Sequence, residues 1–153
     1  MIEKRMVNTA FEQGPYIQVA ALCENVIEDK TGALSLIRVI DTITHTEARP
    51  DAPVDMPPVT YPMKIVIMLK SGRARGRYEL KIVSELPSGE VKPAVTRSVQ
   101  MEGEERGANN IINMVFTFTM EGLYWFNIYL DDSLITRIPL RTKYNRIVTS
   151  VPR

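Results

Sequence analysis

The sequence predicts an all-β protein, a two-sheet antiparallel β-sandwich of about eight strands with an immunoglobulin-like or C2-like arrangement. Three observations lead to this prediction. Apolar residues alternate with polar ones through most of the chain, short turn-forming segments separate these runs, and the connections are too short for helical crossovers. The 153 residues suit a single domain, residues 1–153, because a chain of this length buries one sizeable core.

The first strands are predicted around a hairpin. The segment YIQVAALCENVIEDKTGALSLIRVIDTIT, residues 16–44, contains two β-rich runs on either side of the turn EDKTG. Residues 48–62 then hold five of the ten prolines of the chain. Because proline cannot donate to a strand ladder, we expect this segment to be a long connection across an end or edge of the sandwich, where it would shield an edge strand.

Four alternating runs form the middle of the chain. They are PMKIVIMLK (62–70), RYELKIVSEL (77–86), VKPAVTRSVQM (91–101) and NIINMVFTFTM (110–120). In the second run Tyr78, Leu80 and Ile82 alternate with charged residues, which is typical of a half-buried antiparallel strand. The segments SGRARG, LPSGE and EGEERGAN between the runs are rich in turn-forming residues, and we interpret them as turns.

The last predicted hairpin contains the segment GLYWFNIYLDD, residues 122–132. Successive side chains of a strand point to opposite faces, so one face carries Tyr124, Phe126, Ile128 and Leu130. The run LITRIPLRT, residues 134–142, follows and completes the strand set. Residues 143–153 are basic and weakly patterned, and they are predicted to form an edge strand or a tail.

Composition excludes several classes of protein. The 19 Lys and Arg against 18 Asp and Glu leave a formal charge of +1, which attracts neither phosphate nor acidic lipid over the whole molecule. Cys23 is the only cysteine, so an intrachain disulfide and a cysteine-rich zinc site are excluded. Since no segment approaches the roughly 18 apolar residues of a membrane span, we expect a cytoplasmic protein without a membrane partner.

The sequence offers no catalytic group that local spacing supports. His45 is the only histidine, and neither an orienting partner nor a nucleophile is implied nearby. Cys23 has no neighbouring cation in sequence to lower its pKa. The acidic pairs at 28–29 and 131–132 fall in predicted turns without calcium-loop spacing, and we interpret them as solvated turn residues. We therefore expect no enzyme activity, no metal and no cofactor.

A basic segment is a candidate anion-binding site. In KSGRARGR, residues 70–77, the side chains of Arg73, Arg75 and Arg77 lie close together, and two glycines would let a phosphate approach the backbone. No aromatic residue is interleaved with these cations, and the chain is nearly neutral. We therefore favour a basic turn and do not expect nucleic-acid binding.

The second face of the late strand is the best lead toward a role. If the first face fills the core, Leu123, Trp125 and Tyr129 form an apolar strip on the outside. Either the proline-rich connection or the C-terminal segment covers this strip, or the strip is a protein interface, for which Trp and Tyr are favoured anchors.

Two hairpin patterns resemble those of a family of small bacterial or phage β-sandwich proteins that is described only as a domain of unknown function. The patterns are A-x-x-x-x-V…G-x-L-x-L-x-x-x-x-D-x-I near the N-terminus and G-x-Y-x-F-x-I-x-x-D…L-x-x-x-x-P-L later. The matching residues are Ala21, Val26, Gly32, Leu34, Leu36, Asp41, Ile43, Gly122, Tyr124, Phe126, Ile128, Asp131, Leu134, Pro139 and Leu140. The resemblance implies a β-sandwich and transfers no catalytic residue.

Two functional hypotheses follow. The first is a non-enzymatic β-sandwich protein that acts through protein–protein contacts, by self-association or within a larger assembly, through the strip around Trp125 and Tyr129. The second is a β-sandwich that binds a small molecule, a glycan or calcium, with Trp125 and loop carboxylates at the sheet edge.

Overall fold

The alternating runs fold into seven β-strands in a computed structural model that describes residues 14–148. The strands are β1 (Tyr16–Glu28), β2 (Leu34–Val39), β3 (Thr42–Ala48), β4 (Val59–Glu85), β5 (Val95–Phe118), β6 (Gly122–Leu130) and β7 (Ser133–Ile147). The described part of the chain contains no helix. The all-β class predicted from the period-two pattern is confirmed.

The strands form one continuous hydrogen-bonded sheet, and the predicted division into two sheets is not confirmed. The strand order is β2-β1-β4-β6-β7-β3, and β5 pairs with β4 beside this path. Neighbours are antiparallel, except that β3 and β7 run parallel. Short connections predict antiparallel pairing only between strands that follow each other in sequence. Strands β3 and β7 are far apart in sequence, so their relative direction is not determined by a short connection.

The strand count is lower than predicted because two segments interpreted as turns are bulged stretches inside long strands. SGRARG lies within β4 and EGEERGAN within β5, and the β4–β5 register shifts between Lys70 and Gly72 and again between Gly72 and Arg75. Gly72 and Gly103 have φ angles of 57° and 93°, a backbone region that favours glycine. Glycine at a bulge and glycine at a turn look alike in sequence.

The bulged stretch divides the sheet into two halves with different neighbours. Residues 64–70 of β4 pair with β1, whereas residues 80–85 pair with β6. One hydrophobic core nevertheless contains side chains from both halves, including Leu22, Ile65 and Ile67 of the first half and Ile82 and Ile128 of the second. The two halves therefore share the interior on which the stability of the protein depends.

Aromatic rings connect the halves within this core. Phe116 of β5 lies with its ring centroid 5.3 Å from that of Phe126 and 5.9 Å from that of Tyr124, both on β6. The Tyr124 hydroxyl accepts hydrogen bonds from the backbone N–H groups of Thr119 and Met120 and donates to the Met120 carbonyl. This side chain therefore fixes the turn between β5 and β6.

The proline-rich connection lies beside the end of β7. The Tyr144 hydroxyl donates to the Pro53 carbonyl at 2.7 Å, and Arg146 Nε donates to the Ala52 carbonyl at 2.8 Å. Strand β4 begins at Val59, inside the stretch 48–62 that the prolines mark. Of the basic segment 143–153, residues up to Ile147 belong to β7, which pairs with β3, and residues 149–153 lie outside the described range.

Candidate functional site

The late strand has the two faces that its sequence predicts. Tyr124, Phe126, Ile128 and Leu130 are buried in the core. On the opposite face, Leu123, Trp125 and Tyr129 are half-buried. We call these three residues the aromatic strip.

Cations from neighbouring strands lie over the aromatic strip. The guanidinium carbon of Arg137, on β7, lies 4.1 Å from the centre of the Trp125 ring, and Lys81 Nζ, on β4, lies 5.1 Å from that of Tyr129. Such cation–π contacts hold the alkyl part of the cationic side chain over the apolar surface. Side chains of neighbouring strands in the same sheet therefore cover part of the aromatic strip.

A polar network holds the Arg137 side chain in place. Its Nε donates to Asn127 Oδ1 at 2.7 Å, and Asn127 is buried although it is on the same side of β6 as the aromatic strip. Glu85 Oε2 accepts from both Asn127 and Arg137, at 3.3 Å and 3.5 Å. Asn127, Arg137 and Glu85 are linked to one another by these hydrogen bonds. A partner protein that displaced Arg137 would therefore break several of them.

Arg73 and Arg75 of the candidate anion site lie on the bulged stretch, Arg77 follows directly after it, and all three are exposed. Arg75 is engaged within the chain, because it donates to the Glu102 carbonyl at 2.8 Å and lies 3.8 Å from the Glu104 carboxylate. The acidic stretch of β5 pairs with the basic stretch of β4, so the charges offset one another locally. Arg73 and Arg77 share this exposed stretch.

His45 and Cys23 occupy different parts of the sheet. His45 stacks on Tyr144, and its Nε2 lies 3.0 Å from Glu47 Oε1. Cys23 is fully buried, and burial raises the pKa of its thiol although Lys64 acts in the opposite direction. A raised pKa disfavours the nucleophilic thiolate. The described residues contain no group of three or more His, Cys, Asp or Glu that could hold a metal ion.

The Glu47 carboxylate makes a testable contribution to stability. Its hydrogen bond from His45, together with the positive charge of Arg49, lowers the pKa of Glu47. A lowered pKa in the folded state stabilises the protein above the unfolded-state pKa, and this contribution disappears as the pH falls through the folded-state value. We expect Glu47→Gln to lower the thermal midpoint at pH 7, with the difference from the wild type shrinking below the ordinary glutamate pKa of about 4.3 and vanishing only below the lower folded-state pKa. A difference that persists at lower pH would contradict this assignment.

The structure reveals a second apolar surface, which the sequence analysis did not identify. In the half of the sheet that contains β1 and β2, one face points away from the core. The residues of β2, β1, β4 and the C-terminal part of β5 that pair with one another on this side form a single surface. We call this surface the outer face. Its apolar members are Val19, Ala21, Cys23, Ile27, Ile37, Val39, Pro62, Val66, Met68, Ile111 and Val115.

The outer face differs from the aromatic strip in its charge and exposure. Lys64 and Lys70 are its charged residues, and no carboxylate occurs among its paired positions. Val39 is 63% exposed, Ile27 54% and Ile37 40%. The exposure is uneven, because Cys23 and Val66 on the same face are 0% exposed, and the exposed apolar side chains therefore lie toward its β2 and β5 sides. The sequence signal was available in PMKIVIMLK, where Val66 and Met68 make the second face apolar as well.

A cavity of about 290 Å³ opens between the start of β1 and the β6–β7 hairpin. Its lining is apolar and includes Pro15, Ile17, Leu69, Leu130 and Leu134. Tyr16 supplies the single polar side-chain group in the described lining, so the cavity has no set of converging polar groups that could bind or activate a ligand. The described residues also include no helix that is long and apolar enough to cross a membrane.

A family model and several solved structures match the chain. No curated protein matches the chain. The crystal structure of the CARDB domain of the PF1109 protein from Pyrococcus furiosus, in complex with di-metal ions, is similar to this chain with a TM-score of 0.43 and 9% sequence identity. The alignment covers 87% of this chain and 97% of that one. Residues 18–143 match the model of a family of unknown function, DUF6941, and the chain therefore belongs to that family.

Proposed function

We propose that this is a non-enzymatic protein that binds another protein through the outer face. The observation that carries the proposal is that exposed Ile27, Ile37 and Val39 lie together on a face whose paired positions hold no carboxylate. Interface cores are depleted in charge, and their apolar area supplies the driving force of association. We also infer that the two halves of the sheet are the two layers of a sandwich, which leaves this face as an external surface.

Charge identifies the kind of partner. The outer face carries Lys64 and Lys70, so two copies stacked face to face would bring lysines together without a compensating acid. A different protein with an apolar surface and carboxylates opposite these lysines fits better. The aromatic strip is the competing surface, but its rings already contact Arg137 and Lys81.

The proposal is tested by site-specific photocrosslinking in the host cell. A photoreactive amino acid replaces Val39 or Ile27 on the outer face, and Tyr129 on the aromatic strip serves as the matched control. We expect the two outer-face positions to crosslink to the same protein and the control position to give no such product. A product that forms only at Tyr129, a second copy crosslinked from Val39, or no product at all would overturn the proposal.

The protein identified in this way is then purified and its affinity measured. We expect the double variant Ile37→Asp/Val39→Asp to weaken binding by about ten-fold or more, as loss of a central apolar contact does. Lys64→Glu should weaken it further at low salt, because the partner's carboxylates would then face a like charge. Unchanged affinity in both variants would contradict the assignment of this face.

A further inference from the structure

We propose that a second copy of the chain pairs with the open edge of β5 over residues 107–118, in antiparallel register around Asn113. This inference goes beyond the proposed function, because it concerns a strand edge and an identical partner rather than the outer face and a different one. Within the described residues, β5 pairs along one side only, with β4. Its other side therefore offers backbone N–H and C=O groups to an added strand.

This edge lacks the features that usually prevent strand addition. Residues 107–118, GANNIINMVFTF, contain no Lys, Arg, Asp, Glu, His or Pro. Proteins normally protect an open edge with charges, prolines or bulges. The other half of β5 has such protection, with Arg97, Glu102, Glu104, Glu105 and Arg106.

The other open edges of the sheet are less suited to pairing. Strand β2 has only six residues, and Arg38 lies within it. Strand β3 carries His45 and Glu47, and the proline-rich connection follows directly after it. Among the described strands, the second half of β5 is thus the longest uncharged edge.

The sequence of this edge is self-complementary in a register centred on Asn113. Antiparallel pairing centred on Asn113 places Ile111 opposite Val115 of the second copy and Ile112 opposite Met114 of the second copy, while Asn113 faces itself. Asn109 then faces Thr117, and Ala108 faces Phe118; Asn110 opposite Phe116 is the mismatch. Directly opposed side chains interact across strands, so apolar pairs and polar pairs stabilise this register.

The registers centred one residue away lack this match, and a centre at Val115, which pairs Met114 with Phe116, is the register from which disulfide trapping must distinguish it. A centre at Ile112 would place Val115 opposite Asn109, and a centre at Met114 would place it opposite Asn113. Val115 is 71% exposed in the single chain, so its burial against an apolar residue of the second copy would contribute most to the stability of the dimer. An isologous contact of this kind closes as a dimer and does not propagate.

Sedimentation velocity on the full chain over a range of concentrations tests the dimer. We expect a monomer–dimer equilibrium whose association constant falls several-fold in Asn113→Lys. In that variant the new lysines of the two copies would face each other, next to Lys64 of each copy, and their charges would repel. Asn113→Gln, which stays neutral, is the matched control and should retain the dimer. Thermal unfolding monitored by circular dichroism checks that both variants are folded. A wild type that is monomeric at every concentration would overturn the inference.

Disulfide trapping tests the register. In a Cys23→Ala background, Asn113→Cys should form a symmetric disulfide dimer on oxidation, since directly opposed Cα atoms of antiparallel strands lie about 4.5–5.5 Å apart, within the reach of a disulfide. Ile111→Cys and Val115→Cys should each crosslink poorly alone and efficiently when mixed. A dimer without these products would show that the register is wrong. Ile37→Asp/Val39→Asp should leave the dimer intact, so failure here and failure of the proposed function are separable.

Discussion

Replacing Phe126 with alanine is expected to destabilise the protein by about 3–5 kcal/mol, the range for truncating a fully buried aromatic residue. Phe126 is 0% exposed, and its ring contacts Phe116, which lies on the other half of the sheet. The lost stability is the sum of the transfer free energy of the ring and the free-energy cost of the cavity that remains between the two halves, because the surrounding structure relaxes only partly into that space. Equilibrium urea unfolding monitored by circular dichroism measures it.

A double-mutant cycle shows whether the two halves share their interior. We expect Phe116→Ala and Phe126→Ala to be non-additive, with a coupling free energy of about 0.5–1.5 kcal/mol for an edge-to-face pair. Ser98→Ala is the control in β5, because this exposed side chain should change the free energy of unfolding by less than about 0.5 kcal/mol. Strictly additive effects of the two phenylalanines would contradict packing between the halves.

Replacing Tyr124 with phenylalanine is expected to cost about 1–3 kcal/mol, because it removes a hydroxyl on which backbone groups depend. The Tyr124 hydroxyl is the hydrogen-bond partner of Thr119 N, Met120 N and Met120 O, at 3.2, 3.2 and 2.9 Å. Removal of the hydroxyl leaves these partly buried groups without a partner, while the ring and its packing remain. The same unfolding measurement gives the free-energy change.

Tyr129→Phe is the matched control for this variant. Tyr129 lies on the same strand and its ring contacts Lys81, an interaction that phenylalanine preserves. We expect the control to change the free energy of unfolding by less than about 0.5 kcal/mol. If both variants lost the same amount, the β5–β6 turn would not depend on the Tyr124 hydroxyl.

Local alternation predicted the elements because strand geometry is a local property. The two faces of GLYWFNIYLDD were assigned correctly, since each side chain needs only its neighbours to define its direction. The mixed second face of PMKIVIMLK was visible too, but its meaning depended on which strands lie beside it. Only the pairing with β1, β2 and β5 gathers those residues into one surface.

The contacts made by the aromatic strip also depend on strand pairing, which local sequence does not show. The sequence identifies Trp125 and Tyr129 as an outward-facing apolar pair. It does not show that Arg137 and Lys81 lie over their rings, because this depends on the registers of β6 with β7 and with β4. The sequence suggested cover by the proline-rich connection, by the C-terminal segment or by a partner, whereas these two contacts come from neighbouring strands of the same sheet.

The sequence by itself determined the all-β class, the buried face of the late strand and the single cysteine, because alternation and composition are properties of short segments. Tertiary structure alone decided that SGRARG and EGEERGAN are opposed bulges within long strands, and that β3 joins β7 in parallel. Glycine permits positive φ in a turn and in a bulge alike. Which of the two forms depends on whether a distant strand is there to pair with it.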